Sequence, residues 1–370
     1  MAAERILLTG ATGFLGGAIA ADLAARGLLS QTTFMVRASD AAQGAERVRA
    51  NLLRFGVGAA DAKVDESQVF VGDLARPQAF DGTPRLAGLS RVIHCAALAT
   101  FSNNPSIQAF NVDATLALAR AVHAASPGLR RWVQVGTAMC CGPGLPSPVH
   151  ESWDAGRRDE AHLVPYTRSK LAAEVALRDM PGFPLLVARP SIIVGHSVLG
   201  CAPSPSIFWV LRMAFALERF TCDPRERIDI IPADWCAQAL VSLALAPQPR
   251  HDLYHVSAGA LANRFDEIDL AYAKANGTQP IIDRYRKVEV DELRTLVPLF
   301  EQRLGRVNRL LILRALTLYG AFAGLDYTFD NARLLAEGIA PPPRFADYLA
   351  ACVRTSAGVP MAEQMAADFK

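Results

Sequence analysis

The chain has 370 residues, 51% of them hydrophobic and 20% charged, with a formal net charge of +2. That length suits a large α/β domain carrying insertions, and the balance excludes a disordered chain and a nucleic-acid-binding composition. Seven cysteines, Cys95, Cys140, Cys141, Cys201, Cys222, Cys236 and Cys352, form no CxxC pair and no zinc spacing, so a reducing cytoplasm is the simplest compartment.

The first apolar run, Arg5 to Thr9, reads as a strand that begins within a few residues of Met1 and leaves no room for a signal peptide. No apolar run reaches the ~18 residues a membrane span needs, so no transmembrane segment is expected. The strand runs into TGATGFLGG, Thr9 to Gly17, and then into an alanine-rich helix from Phe14 to Arg26. A diphosphate resting on a helix N-terminus must meet backbone N–H groups that no side chain screens. Gly10 permits the tight turn, Gly13 lets backbone approach the phosphates, and Gly16 lets the helix sit close to the sheet. Thr12, Phe14 and Leu15 complete the expected cofactor contacts in this turn.

The second strand, Thr32 to Arg37, ends in VRAS. An acidic residue here would favour NAD, whereas the Arg37 guanidinium can grip a 2′-phosphate and points to NADPH. Arg47, on the following helix Ala41 to Phe55, is expected to assist. A third strand, Gln68 to Gly72, leads into VGDL, where Asp73, with Leu74 beside it, faces the adenine. After the fourth strand, Arg91 to Ala96, the small residues Ala96 and Ala97 keep the cofactor channel narrow.

A helix from Ile107 to Ala125 precedes the fifth strand, Arg131 to Gly136, which ends in VGTAMCCG. Thr137 is the hydroxyl residue expected to orient a substrate carbonyl. The next helix, Thr167 to Arg178, begins at YTRSK, and its spacing puts Tyr166 and Lys170 on one face. A phenol acting as acid or base near neutral pH needs its pKa lowered from about 10, which a neighbouring ammonium can do while holding the nicotinamide ribose. YxxxK alone is a weak signal, and its place one helix after the fifth strand is what carries it. Thr167 and Ser169 are less suitably placed. The sixth strand is Leu185 to Ala188. Strands alternating with crossover helices predict an α/β fold, a Rossmann-type doubly wound parallel sheet.

Beyond Gly195 the pattern changes. Ser206 to Phe220 is conspicuously apolar, so Ile207, Phe208, Trp209, Val210, Leu211, Met213 and Phe215 either line an acyl or aryl tunnel or form a helix buried on the sheet. Leu310 to Leu325, interrupted by Arg314, invites the same two readings, with peripheral membrane contact as a third. His251 and His255 flank a strand but lack a third ligand, and no metal site is expected. The expected division is a dinucleotide-binding domain over 1–195 and a mostly helical, substrate-binding part over 196–370, with 225–257 returning to the first.

These strings together resemble the extended short-chain dehydrogenases/reductases, and more narrowly their fatty acyl-CoA reductase and carboxylic acid (thioester) reductase branch. TGATGFLGG, MVRAS, VGDL, VIHCAALATFSNN, FNVDAT, VGTAMCCG, YTRSKLAAE, ARPSIIVG and DIIPADWCAQAL occur in the family's order over residues 5–245. The resemblance implies Thr137, Tyr166 and Lys170 as a catalytic triad and directs Gly10, Gly13, Gly16, Arg37, Asp73 and Lys170 to the cofactor. It implies that Pro190, Ile192 and Ile193 close over the nicotinamide, and that Asn111 has a structural or proton-relay role. The family often has Ser before the catalytic Thr and an aromatic two residues beyond it, where this chain has Gly136 and Met139.

The implied activity is NADPH-dependent reduction of an acyl thioester to aldehyde and thiol, with a second hydride giving alcohol. The acyl group, the thiol (CoA or an acyl-carrier protein), the extent of reduction and assembly as a homodimer stay open. No adenylation or carrier module fits in the chain, so the thioester must arrive already activated. Cys140 and Cys141 sit beside Thr137, but nothing marks either as an activated nucleophile. The alternative is an NADP-dependent ketone or hydroxysteroid-type oxidoreductase; a non-catalytic NADPH sensor would not need the triad.

Overall fold

Seven short apolar runs assemble into one parallel sheet: β1 (Ile6–Thr9), β2 (Thr32–Val36), β3 (Val69–Val71), β4 (Arg91–His94), β5 (Arg131–Val135), β6 (Leu185–Pro190) and β7 (Leu253–Val256). Their order is β7-β6-β5-β4-β1-β2-β3. The central strands are buried on both faces, which is why they read as continuous apolar runs without alternation. The computed structural model describes residues 4–100, 104–155, 162–304 and 308–368; the end of the VIHCAALATFSNN string, 101–103, lies outside them.

Helices cover both faces of the sheet. On one side α1 (Phe14–Ala25) and α2 (Ala41–Arg54) pack with a later helix, Ala233–Leu245, and on the other α3 (Ala114–Ala125) packs with α4 (Pro165–Arg178). The expected helix from Ile107 is continuous with α3 but contains a π-turn at Ala109–Asp113. The last carbonyls of helix Ala233–Leu245 are not left orphaned. Arg91 and Arg131, at the starts of β4 and β5, donate to Ala244 at 2.6 Å and to Leu243 at 3.0 Å. Strand order reverses between β1 and β4, and the crevice at their carboxyl ends is where a doubly wound sheet binds ligands.

The C-terminal half builds a second apolar core beside that crevice. Its central element is α5 (Phe208–Leu217), in which Phe208, Trp209, Val210, Leu211, Met213 and Phe215 are all buried. Around it lie α7 (Phe265–Asn276), α8 (Arg309–Ala323) and α9 (Phe345–Ser356), while α6 (Ala233–Leu245) returns to the sheet core. Aromatic contacts link these helices: Trp209 meets Tyr319 edge-on at 5.4 Å, and Phe215 stacks on Tyr272 at 4.0 Å. Among the described residues, no helix is long and apolar enough to cross a membrane.

Candidate active site

The glycine turn is as tight as its chemistry requires. Gly10 has φ +79°, and a Cβ there would lie 2.9 Å from the Ala96 nitrogen; at Gly16 it would lie 2.0 Å from the Gly10 oxygen. Gly13 is the N-cap of α1, no side chain caps the first turn, and no acidic residue stands in it. That leaves first-turn N–H groups and the positive end of the helix facing the crevice, a cradle suited to a diphosphate. The turn is braced from behind by Asn51 on α2, whose Nδ2 donates to the Ala11 carbonyl at 2.8 Å and the Gly13 carbonyl at 3.0 Å.

β5 delivers the second component. The chain leaves the sheet at Gly136, and Thr137 caps a short 3-10 turn, Ala138–Cys141, with its Oγ1 accepting the Met139 N–H at 3.3 Å. The third component is α4, which starts with Pro165 at a position where its missing N–H costs nothing. Asn111, in the π-turn before α3, ties this helix to the loop after β4. Its Oδ1 accepts the Leu98 N–H at 2.7 Å, and its Nδ2 donates to Ser169 Oγ at 3.0 Å. Thr167 and Ser169 are committed to the helix start, donating to Val164 O and Tyr166 O.

These pieces share one cavity of about 460 Å³. Gly10, Gly13, Phe14, Leu15 and Gly16 of the glycine turn line it together with Thr137, Tyr166 and Lys170, and so do Pro190, Ile192 and Ile193. Met139, Ile207, Tyr319 and Phe322 add large, mostly apolar side chains to the lining. Of the apolar run after Ser206, only Ile207 reaches this cavity; its neighbours on α5 are core, because a helix apolar all round packs on every side. Tyr319 and Phe322, three residues apart on one face of α8, lie in the stretch Leu310 to Leu325 that invites the tunnel reading, though the sequence singles out neither of them.

Of the remaining expected cofactor residues, Ala97 also lines the cavity, and the others sit outside its wall. Arg37 is exposed at the end of β2, and Arg47 donates a hydrogen bond to its carbonyl. Asp73 Oδ1 accepts the Ala75 N–H at 2.9 Å, and the Leu74 side chain is buried in the core under the sheet. Ala96 lies against Gly10, and Thr12 is half-buried in the turn. His255 is buried with Nδ1 beside the Asp330 carbonyl at 3.1 Å, and among the described residues no three His, Cys, Asp or Glu side chains gather as metal ligands.

Electrostatics at the centre differ from the expectation in one respect. Burial pushes the Tyr166 phenol up from its ordinary value, rather than Lys170 drawing it down, and burial also lowers the Lys170 ammonium. The phenol is therefore a protonated donor at neutral pH. Burial holds His94 neutral, down to about 3, and raises the Cys95 thiol to about 11 and Cys141 to about 12, with Cys140 also raised. Neither Cys140 nor Cys141 has the thiolate character of a nucleophile.

A crevice at the strand reversal, with a glycine turn on one side and a Tyr-Lys helix on the other, defines an oxidoreductase of the extended short-chain dehydrogenase/reductase type with a nicotinamide dinucleotide site. The chain belongs to the NAD-binding Male sterility protein family, whose model matches residues 8–240. It is 29% identical over 317 residues to the nonribosomal peptide synthetase FrzA of Cladobotryum sp, covering 80% of this chain and 30% of FrzA; the chain thus spans under a third of that relative. Its fold is similar to the terminal R domain of the myxalamid PKS-NRPS pathway (TM-score 0.77, 22% identity, 98% of this chain and 93% of that one). It is also similar to a thiolation-reductase di-domain from an archaeal non-ribosomal peptide synthetase (TM-score 0.70, 18% identity, 95% of this chain and 75% of that one).

Proposed function

We propose that the protein reduces an acyl thioester, tethered to a carrier protein or to CoA, to the aldehyde with NADPH as reductant. The observation that carries this reading is that Thr137, Tyr166 and Lys170 share one cavity with the glycine turn, and that large apolar side chains complete its lining. The names of the relatives, a nonribosomal peptide synthetase and two reductase domains, favour a carrier-tethered substrate.

The glycine cradle fits a dinucleotide diphosphate, since no side chain caps the first turn of α1, and a Cβ would collide with Ala96 at Gly10 and with the turn itself at Gly16. NADPH is favoured over NADH because Arg37 stands at the end of β2, and the nearby Asp40 carboxylate is occupied in capping α2 through the Gln43 N–H at 2.8 Å. Bound NADPH supplies a hydride to the thioester carbon. Thr137, whose Oγ1 already accepts from Met139, donates its own hydrogen to the carbonyl oxygen as negative charge develops. Tyr166 donates beside it, and its protonated phenol suits this reductive direction. Lys170 holds the nicotinamide ribose and steadies the charge around the phenol. The hemithioacetal collapses to aldehyde and free thiol; going on to the alcohol would take a second NADPH after cofactor exchange. In this reading 1–195 with 225–257 hold the dinucleotide, and the other helices of 196–370 enclose the acyl group.

The test is to supply NADPH with matched acyl-CoA, acyl-pantetheine and acyl-carrier thioesters and to trap the aldehyde as an oxime for mass spectrometry. Trapped aldehyde, most abundant from carrier thioesters, is the expected result. Reduction of ketones with no product from any thioester would overturn the reading.

A further inference from the structure

Among the described ion pairs, Glu174 with Arg189 is the one whose side chains are both 0% exposed. Glu174 Oε2 accepts from Arg189 Nε at 3.0 Å and lies 2.8 Å from Nη2, while Nη1 donates to the Ser152 carbonyl at 3.1 Å. Stability does not explain such a pair, because removing two charges from water costs as much as their attraction returns. Moreover, Glu174 Oε1 is buried without a hydrogen-bond partner, a further cost.

The pair's position is informative. Glu174 follows Lys170 by one helical turn and Tyr166 by two, on the same face of α4. Arg189 directly precedes Pro190, which lines the cavity. Gly136 directly precedes Thr137, and a Cβ on it would lie 2.1 Å from Glu174 Oε1 and 3.3 Å from Arg189 Cγ. This close approach accounts for glycine at a position where the resembled family often has serine. One ion pair thus touches all three segments that carry the reaction centre.

Charge points the same way. The groups facing Lys170 are Tyr166 and Glu174 on its own helix, His94 at the end of β4 with Cys95 after it, and Cys140 after β5, with Arg189 on β6 beyond Glu174. Burial keeps His94, Cys95, Cys140 and Tyr166 neutral near pH 7. Burial also pushes Glu174 up, but the always-charged Arg189 opposes it at hydrogen-bond distance. With the Cys95 thiol neutral, the Glu174 carboxyl that Arg189 holds is the acidic group that works against the burial of the Lys170 ammonium.

We propose that the Glu174–Arg189 pair is a positioning device for the reaction centre, holding the Lys170 helix, the Thr137 turn and the Pro190 segment together and keeping a fixed carboxylate behind the Lys170 ammonium. The proposal rests on the reductase reading above. It is tested with Glu174→Gln and with the double variant Glu174→Gln/Arg189→Met, which leaves no guanidinium stranded without its carboxylate and so guards against a single variant that fails to fold. With only five lysines in the chain, ε-13C-lysine labelling makes the Lys170 signal assignable by comparison with Lys170→Arg.

The double variant is expected to melt cooperatively and bind NADPH. Its Lys170 titration midpoint should fall by about one pH unit or more. Its kcat should fall ~10–100-fold, with the alkaline limb of the pH profile moved to lower pH. A folded double variant with the wild-type midpoint, kcat and pH profile would overturn the proposal, as would one that cannot fold, since the pair would then be a stability element. If wild-type protein reduces no thioester, the functional reading fails, and the Lys170 titration still decides the role of the pair.

Discussion

Asn51 reaches from α2 to the Ala11 carbonyl, donating from Nδ2 at 2.8 Å while the same nitrogen also serves the Gly13 carbonyl. Asn51 is 5% exposed, and a Cβ on Gly17 would fall 2.3 Å from its amide, so the brace depends on a glycine as well. With both carbonyls held inward, the first-turn N–H groups of α1 stay aimed at the crevice. Asn51→Leu should therefore raise the Kd for NADPH by roughly tenfold, the equivalent of one or two net hydrogen bonds, with kcat at saturating NADPH little changed. Fluorescence titration of NADPH alongside steady-state kinetics checks this, and a loss confined to kcat would contradict it.

Tyr166→Phe removes the phenol hydrogen and leaves the ring. Turnover should drop by about 10²–10⁴-fold, the usual contribution of a positioned acid, while NADPH affinity stays near wild type. Because burial holds the wild-type phenol above its ordinary value, ionisation of Tyr166 should produce no fall in reductive rate near neutral pH. A pH–rate profile and a binding isotherm for both proteins test the pair of claims.

Cofactor choice should depend on Arg37. Arg37→Ala should cost about 10–100-fold in kcat/KM with NADPH, the worth of one or two charge-assisted hydrogen bonds. Activity with NADH should be nearly unaffected. Parallel kinetics with the two dinucleotides measure the ratio; an equal loss with both would remove Arg37 from the 2′-phosphate.

Away from the cavity, Glu151 provides a pH-dependent element of stability. Its oxygens accept the His255 N–H at 2.8 Å and the Arg333 N–H at 3.2 Å, and burial raises its carboxyl from 4.5 to about 7. The folded state therefore holds a proton that the unfolded state has lost between those values. The stabilisation is complete below about 4.5 and is lost as pH rises through about 7. The loss should amount to roughly 2 kcal/mol after allowance for solvent screening. Thermal melts across this window should show a shallower decline for Glu151→Gln than for wild type; parallel curves would show that Glu151 does not titrate there.

The parts of this protein legible in its sequence are those written in neighbouring residues. Parallel strands such as Arg91–His94 are buried on both faces and so read as apolar runs, and their ends were placed within two residues. The glycine turn and the Tyr166–Lys170 spacing are equally local. Asn51, Tyr319 and the Glu174–Arg189 pair reach their partners only through tertiary approach, across 15 residues for the ion pair and 40 for Asn51 and Ala11. No window of sequence contains both halves of such a contact. The apolar stretch after Ser206 was ambiguous for a different reason: hydrophobicity marks burial, and a tunnel wall and a core helix are both buried. The phenol's protonation is likewise set by how completely the surrounding chain excludes water, which spacing on a helix does not encode.

The most direct measurement follows NADPH consumption and free-thiol release together, on a carrier-bound acyl thioester, with wild-type protein and Tyr166→Phe. The account predicts one thiol released for each one or two NADPH consumed, and near loss of both signals in the variant. NADPH consumption without thiol release, or undiminished release by the variant, would contradict it.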